Sequence, residues 1–279
     1  MTVQAAQTAY RQEYIASFEE GQSWLRRACV TEFVKKGNTA TFLVSGTGGA
    51  SAVTRGANGL IPSRTPSNTQ TSATLGEWHD LQELTDFDIF ASQGDQRRVM
   101  QDGSVKVINR KIDADVIAQL DTATNDTGTS TTASVAMWVK SLTILGNAEV
   151  PVQEEMNMFA LISFGFNAYM MQTPEYARAD YVDVKAFNMP VMRLKRFNGV
   201  NIIVHPNVTG VGTSTEKCYM FHRNAIGHAM DKEAVATEIG YDGKHMISWA
   251  RASGYFGSKL LQNSGVVQMK HDGSAYVAA

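Results

Sequence analysis

The apolar and polar positions divide the chain into three regions. One is an overlong helical segment, one a polar stretch before it, and the third a succession of short helices and strands after it. The helical segment, Gln96–Leu120, carries Val105, Ile108, Ile112, Val116 and Leu120 at spacings of three or four, and Ile117 widens the stripe. Arg97, Arg98, Arg110, Lys111, Asp113 and Asp115 lie around it, the aspartates read most simply as part of a solvated face. Gly103 is its weak point, costing roughly 1 kcal/mol of helix propensity against Ala. Upstream, TDFDIFASQ can extend the pattern toward Asp86, giving a helix of about 35 residues and about 50 Å. A helix of that length either pairs as a coiled coil or backs a broad packing surface. The stripe is not sustained as heptads, which favours the second.

Before this helix, Tyr10, Tyr14, Phe18, Leu25 and Cys29, with Trp24 nearby, suggest an amphipathic helix within residues 1–29. It is either a first helix docked on its own domain or an arm reaching a neighbouring subunit. Thr39–Val44, TATFLV, reads as a strand. About 30 residues of Gly, Ser, Thr, Asn, Pro and Ala follow, with two charges, Arg55 and Arg64. A structureless loop of that length is unusual inside a compact domain. It is either disordered or an extended two-stranded excursion. The flanking strands TATFLV and ATLGEWHDL favour a projecting β-arm, which would need a neighbour to hold it because isolated hairpins are marginal in water.

After the long helix, Ser134–Gly146 predicts a second helix and Met156–Ile162 a buried strand. Ser163 is placed to cap a helix that stops before Thr173-Pro174. Glu175–Val182 reads as another short element. Pro190–Pro206 holds two strands around Phe197-Asn198-Gly199, where Asn-Gly is a strong hairpin signal. Cys218–His222 reads as a strand and Arg223–Met230 as a short helix. The remainder is strand-rich, turned at Tyr241-Asp242-Gly243, and is expected to pack antiparallel strands against the long helix. The fold class is α+β.

Composition narrows the functions open to such a chain. Its 279 residues suffice for one or two cores. Charged residues are 19% and the net charge is -2, so affinity for polyanions is not a whole-chain property, though a local basic face is open to it. Thirteen methionines and 23 glycines suit large adaptable contact surfaces. Cys29 and Cys218 form no CxxC and read as buried thiols. No signal peptide and no run of 18 apolar residues occurs, so neither secretion nor a membrane span is expected.

The search for catalytic chemistry is negative. The glycines at 46, 48 and 49 lack both dinucleotide and phosphate-loop spacing, and His245 after Gly243-Lys244 breaks the latter motif. His222 and His228 have no evident companion ligands and read as surface or capping residues. His79-Asp80 is an adjacency common by chance, and no Gly-x-Ser-x-Gly elbow occurs. No catalytic residue, metal ligand or cofactor is expected. Arg97-Arg98 would meet solvent, a neighbouring subunit or nucleic acid, without base-reading geometry.

Asp86-Phe-Asp-Ile89, Gln96-Arg-Arg-Val-Met100 and Asn109–Ile117 resemble the spine helix of a known family. So, in order, do Met158–Ser163 with Ala179-Asp-Tyr181, Phe197–Val204, Cys218–Met230 and Ile247–Leu261 resemble its later elements. That family is the major capsid protein of tailed double-stranded-DNA bacteriophages, with the Hong Kong 97-type coat fold shared with encapsulins. The resemblance implies an N-terminal arm (residues 1–32), an extended loop lying across an adjacent subunit (33–84) and a peripheral domain from 85–129 and 233–279. The axial domain, 130–232, would meet its copies around fivefold and sixfold vertices. It further implies self-assembly as pentamers and hexamers into an icosahedral shell around double-stranded DNA that lies near the wall without specific contacts. The shell would form in the bacterial host cytoplasm and reside in the virion, with portal and scaffolding proteins as partners and a decoration protein as an option. An encapsulin-like compartment is the alternative. Arg55, Arg64, Trp78, Arg97 and Arg98 are the candidate inter-subunit or DNA-facing residues.

Two departures modify these expectations. Some members crosslink a lysine of the extended loop to an asparagine of another subunit, but no lysine occurs between Lys36 and Lys106 here, so a non-covalent shell is expected. Some begin with a fused scaffolding segment. This chain begins its arm near residue 1, so a separate scaffolding protein without a large N-terminal cleavage is expected.

Overall fold

The computed structural model describes residues 23–47, 49–91, 96–177, 195–231 and 235–276. Two compact units emerge. The first gathers the described residues of Glu77–Ile112 and Glu233–Tyr255, and the second those of Trp24–Gly76, Asp113–Lys232 and Phe256–Ala279.

The first unit is a short sheet with a helix on one face. Strands β10 (Ala236–Asp242) and β11 (Ile247–Leu260) pair antiparallel from Ala236↔Ser253 to Asp242↔Ile247. Strand β4 (Gly76–Thr85) joins β11. Helix α1 (Asp86–Ala91) is tied to the hairpin end. The Asp86 N–H donates to the Met246 carbonyl at 3.0 Å, and the Tyr241 hydroxyl donates to the Asp86 carboxylate at 2.7 Å. Helix α2 (Gln96–Leu120) then runs unbroken through Gly103 for 25 residues. Within this unit Gln101 reaches Thr237 at 3.0 Å and Lys111 lies over the Trp78 ring at 4.0 Å.

The second unit is layered. Its sheet runs β12 (Val266–His271), β8 (Glu216–His222), β5 (Met158–Ile162), β7 (Val200–Val204) and β6 (Lys195–Phe197). All five residues of β5 are buried. The reason is alternation between two covered faces. Met158, Ala160 and Ile162 join Trp138, Leu145 and Phe166 of α3 (Val135–Asn147) and α4 (Phe164–Met171), which pack on one side. Phe159 and Leu161 join Val116, Ile117 and Leu120 of α2, with Leu25 and Cys29, on the other. Ser134 and Ser163 cap the two helices as expected, accepting from the N–H groups of Met137 and Phe166. The Asn198-Gly199 hairpin is also present, with φ of 49° and 78°, the left-handed pair that a two-residue turn requires. A helix of four residues, α5 (Pro174–Ala177), follows α4; the expected continuation to Val182, and the first strand before residue 195, fall outside the described residues.

The burial pattern of α2 explains its ambiguous stripe. Met100, Ser104, Ile108, Ile112, Val116 and Leu120 are buried at strict spacings of four. At 3.6 residues per turn each step of four advances the position by about 40° around the axis. Over five steps the buried line therefore winds through about 200°. The first half of the helix thus buries a different side from the second, and the change of unit falls between Ile112 and Asp113. Val105, expected in the stripe, is only half-buried because it lies off this winding line.

Four expectations need correction. Arg223–Met230 is not a helix: a single 3-10 turn, Arg223–Ala225, precedes strand β9 (Ile226–Asp231). Gly227 and Ala229 alternate there with His228 and Met230, a period of two that the helical spacing of Ile226 and Met230 disguised. Strand β9 pairs parallel with β1 (Val30–Val34) and antiparallel with β11. His228 is accordingly buried inside a sheet, not a surface or capping residue. Near the N-terminus, Leu25–Ala28 is a 3-10 turn and not part of an α-helix; residues 1–22 lie outside the described ones. Asp113 does not lie on a solvated face but is buried.

Candidate functional site

The polar stretch before the long helix is a two-stranded arm. Strands β2 (Thr39–Gly46) and β3 (Ser67–Thr74) pair antiparallel from Thr39↔Thr74 to Gly46↔Ser67, about 26 Å of ribbon at the usual rise per residue. The return strand is therefore Ser67–Thr74. The segment GEWHDL, expected to contribute to it, belongs instead to β4.

Among the described residues, the arm is seated at its base. Ala40, Phe42 and Ala73 are buried against Ala229 of β9, with Val30, Val34, Leu75 and Leu261 around them. Two glycines make room. A Cβ on Gly227 would lie 2.9 Å from the Phe42 ring, and one on Gly257 would overlap the Thr74 carbonyl. The Leu75 N–H closes the base on the Asn38 carbonyl at 2.8 Å.

Outboard of Phe42 the alternation of buried and exposed positions ends. Leu43 and the residues from Ser45 onward are exposed, as are Ser67–Gln70 and the described loop residues between the strands. Leu60, Ile61 and Val53 are 74%, 67% and 58% exposed. Polar pairing within the ribbon, such as Ser45 to Asn68 at 2.7 Å, keeps the strands together without giving them a core. The arm thus offers apolar side chains and open strand edges to whatever lies beside it.

The candidate residues separate into two groups. Arg55 and Arg64 are exposed on the arm's loop. Trp78 and Arg98 belong to the other unit. Trp78 is half-buried under the Lys111 ammonium, a cation–π contact, while Arg98 is exposed and lies 4.0 Å from Asp102 one turn on. Arg97 lies in α2, its side chain outside the described set.

The acid–base adjacency at His79-Asp80 does not form, because consecutive strand residues face opposite ways. His79 instead holds Glu77 at 2.7 Å and Ser253 at 2.8 Å. The histidine and glutamate side chains are 41% and 63% exposed, so water screens the pair. Among the described residues, no group of three His, Cys, Asp or Glu could hold a metal ion. Burial raises both cysteine thiols above their usual range, which makes them poor nucleophiles.

Motif reading missed the buried polar residues. Asp113 accepts the N–H groups of Trp24 and Leu25 at 3.2 and 3.3 Å. His205 faces the same carboxylate at 3.5 Å; its Nδ1 accepts from the Asn207 N–H, which leaves the proton on Nε2, toward Asp113. Glu216 accepts from the Gly212 N–H at 2.8 Å inside the second unit. These residues pin chain segments together, and no sequence spacing marks them. Among the described residues, then, the polar anchors of the second unit are turned inward and the outer part of the arm is exposed.

Comparison with known proteins agrees with this geometry. A family model described as phage capsid protein matches residues 3–273. No curated protein sequence matches the chain. Among solved structures, the chain is similar to the capsid of the cyanophage P-SCSP1u, with a TM-score of 0.65 at 12% identity, over 94% of this chain and 91% of that one. It is similar to a Microbacterium phage Oxtober96 chain, at 0.67 and 14%, over 93% and 94%. It is also similar to the capsid of a native GTA particle, at 0.64 and 14%, over 98% and 99%. The chain belongs to the phage capsid protein family and has the Hong Kong 97-type coat fold.

Proposed function

We propose that the protein assembles as pentamers and hexamers into an icosahedral shell around double-stranded DNA, in the cytoplasm of a bacterial host. Portal, scaffolding and decoration proteins are the partners this reading implies. The observation that carries it is the arm: among the described residues the ribbon is seated at its base and exposed beyond it, and a two-stranded ribbon without further cover is marginal in water, so a neighbouring copy is the cover this reading supplies. Many modest contacts of this kind add up in a closed symmetric assembly, where each copy is held by several neighbours.

On this reading residues 1–32 and 33–84 are the arm and extended loop that reach other copies. Residues 85–129 and 233–279 form the peripheral domain, and residues 130–232 the axial one. With no lysine between Lys36 and Lys106, the projecting ribbon and its loop have no side-chain amine for a crosslink, and on this reading the shell is held without covalent bonds.

The test is a shortened arm. Replacing residues 47–66 by a two-residue Asn-Gly turn leaves the seated base intact. The variant should unfold at the parent's temperature yet form no closed particles by sedimentation and electron microscopy. A variant that assembles as well as the parent would remove the arm from the assembly.

A further inference from the structure

The chain holds two Asn-Gly pairs, Asn58-Gly59 and Asn198-Gly199. A glycine after asparagine leaves the next backbone nitrogen without a side chain beside it. That nitrogen stands one five-membered ring away from the carbonyl carbon of the asparagine side chain. Whether the ring closes depends on how firmly the fold holds the backbone at the pair.

The two pairs are held differently. Asn198-Gly199 is the turn between β6 and β7, where Phe197 pairs with Val200. Those two residues are 6% and 0% exposed and belong to the core of the second unit. Rotating Asn198 toward ring closure therefore means unpacking the hairpin end. Asn58-Gly59 lies in the loop of the arm, where residues 51–70 are all exposed. The Gly59 N–H donates to the Gly56 carbonyl at 2.9 Å, and the Gly56 N–H donates to the Leu60 carbonyl at 3.0 Å. A Cβ on Gly59 would meet nothing within 4 Å. This turn has no buried side chain behind it, so it opens at little cost, and opening frees the Gly59 nitrogen.

The surroundings give such a reaction a consequence. From residue 37 to residue 76 the chain has no acid, and its charges there are Arg55 and Arg64. A carboxylate at residue 58 would sit between these two cations in the sequence and add one negative charge to a chain whose net charge is -2.

We infer that Asn58-Gly59 is a self-modification site, at which water converts the asparagine to aspartate and isoaspartate for as long as the arm is uncovered. The Gly59 nitrogen loses its proton to base and attacks the Asn58 Cγ. A nitrogen–carbon bond forms, the side-chain amide bond breaks, and the amide leaves as ammonia, taking up a proton. Water then opens the cyclic imide. Opening at Cγ leaves aspartate in a normal backbone. Opening at the main-chain carbonyl leaves isoaspartate, whose backbone runs through Cβ and is longer by that carbon. The sum is amide plus water to acid plus ammonia, with nothing oxidised or reduced. Under the shell reading, on which this last part rests, a neighbouring copy covers the loop and stops the reaction. The acid at residue 58 then records how long a chain has spent unassembled.

The experiment is peptide mapping of the full-length chain held in native buffer at pH 6 and pH 8. Trypsin cuts after Arg55 and Arg64 and releases residues 56–64, while the cut after Arg196 begins the peptide that carries Asn198. Residues 56–64 should convert to aspartyl and isoaspartyl forms, faster at pH 8, and at about ten times the rate of Asn198 or more. In denaturant the two pairs should convert at similar rates; a gap that persists there would overturn the structural argument. Gly59→Ala should slow conversion at residue 58 severalfold, because its methyl group crowds the attacking nitrogen. An Asn58 that keeps its amide in native buffer, or converts no faster than Asn198, would overturn the inference and leave the shell reading untouched. In assembled particles, conversion at residue 58 should be severalfold slower than in free chains. Equal rates in the two would leave the chemistry in place and contradict the covering of the arm.

Discussion

Asp113 holds the first described turn of the chain to the long helix, and its carboxylate is the acceptor for two backbone N–H groups. Asp113→Ala leaves both donors without that acceptor and should cost about 2–4 kcal/mol in chemical denaturation. Asp113→Asn keeps an acceptor oxygen and should cost less than half as much. His228 supplies a second residue-scale expectation. Burial pushes its pKa down to about 4; nearby Arg26 adds to this and Asp113 opposes it. Its folded pKa thus lies below the usual value of about 6.5, and between those values the unfolded chain binds more protons. Stability should therefore fall as pH drops from about 6.5 toward 4, by at most about 2–3 kcal/mol from this residue. His228→Gln should flatten that part of the pH dependence measured by denaturant unfolding. The cysteines behave alike: neither Cys29 nor Cys218 should react with a thiol reagent in native buffer, and both should react once the chain is unfolded.

At the scale of elements, the arm is defined by how its base is held. Gly257 faces a backbone carbonyl, which cannot move aside, whereas Gly227 faces the edge of a phenylalanine ring, which can tilt. Gly257→Ala should therefore destabilise the chain more than Gly227→Ala, by about 1–3 kcal/mol, and should sharpen proteolytic cleavage within residues 39–74. Helix α2 shows what periodicity reveals and what it conceals. Its existence and its end at Leu120 were legible, because apolar residues recur at helical spacing from Val105 to Leu120; the extension toward Asp86 would cross residues 92–95, which lie outside the described ones. Its winding stripe was not, since Ser104 is buried among apolar residues and Val105 beside it is half-exposed. Strand β9 was misread for the opposite reason. Its small residues serve a neighbour 150 or more positions earlier, and local spacing carries no trace of Phe42 lying on Gly227. The capped helices α3 and α4 and the Asn198-Gly199 turn were readable because their signals are local. The buried anchors Asp113, His205 and Glu216 were not, because what makes them anchors is the fold around them.

For the molecule as a whole, the inward-turned polar anchors and the exposed outer arm of the described residues belong to one account. A protein that works by contact keeps its polar anchors inside, as Asp113, His205 and Glu216 are in the second unit, and leaves its adhesive elements outside. Particles should dissolve into single chains, without crosslinked ladders, on a denaturing gel without reductant, since the ribbon and its loop hold no lysine and both cysteines are buried. The central claim is that the arm is covered by another copy. The most direct measurement is a reconstruction of assembled particles by cryo-electron microscopy at side-chain resolution. The account predicts a closed shell in which residues 47–66 of each copy lie against a neighbouring copy. A chain that stays monomeric at high concentration, or a shell whose arms contact only their own subunit, would contradict it.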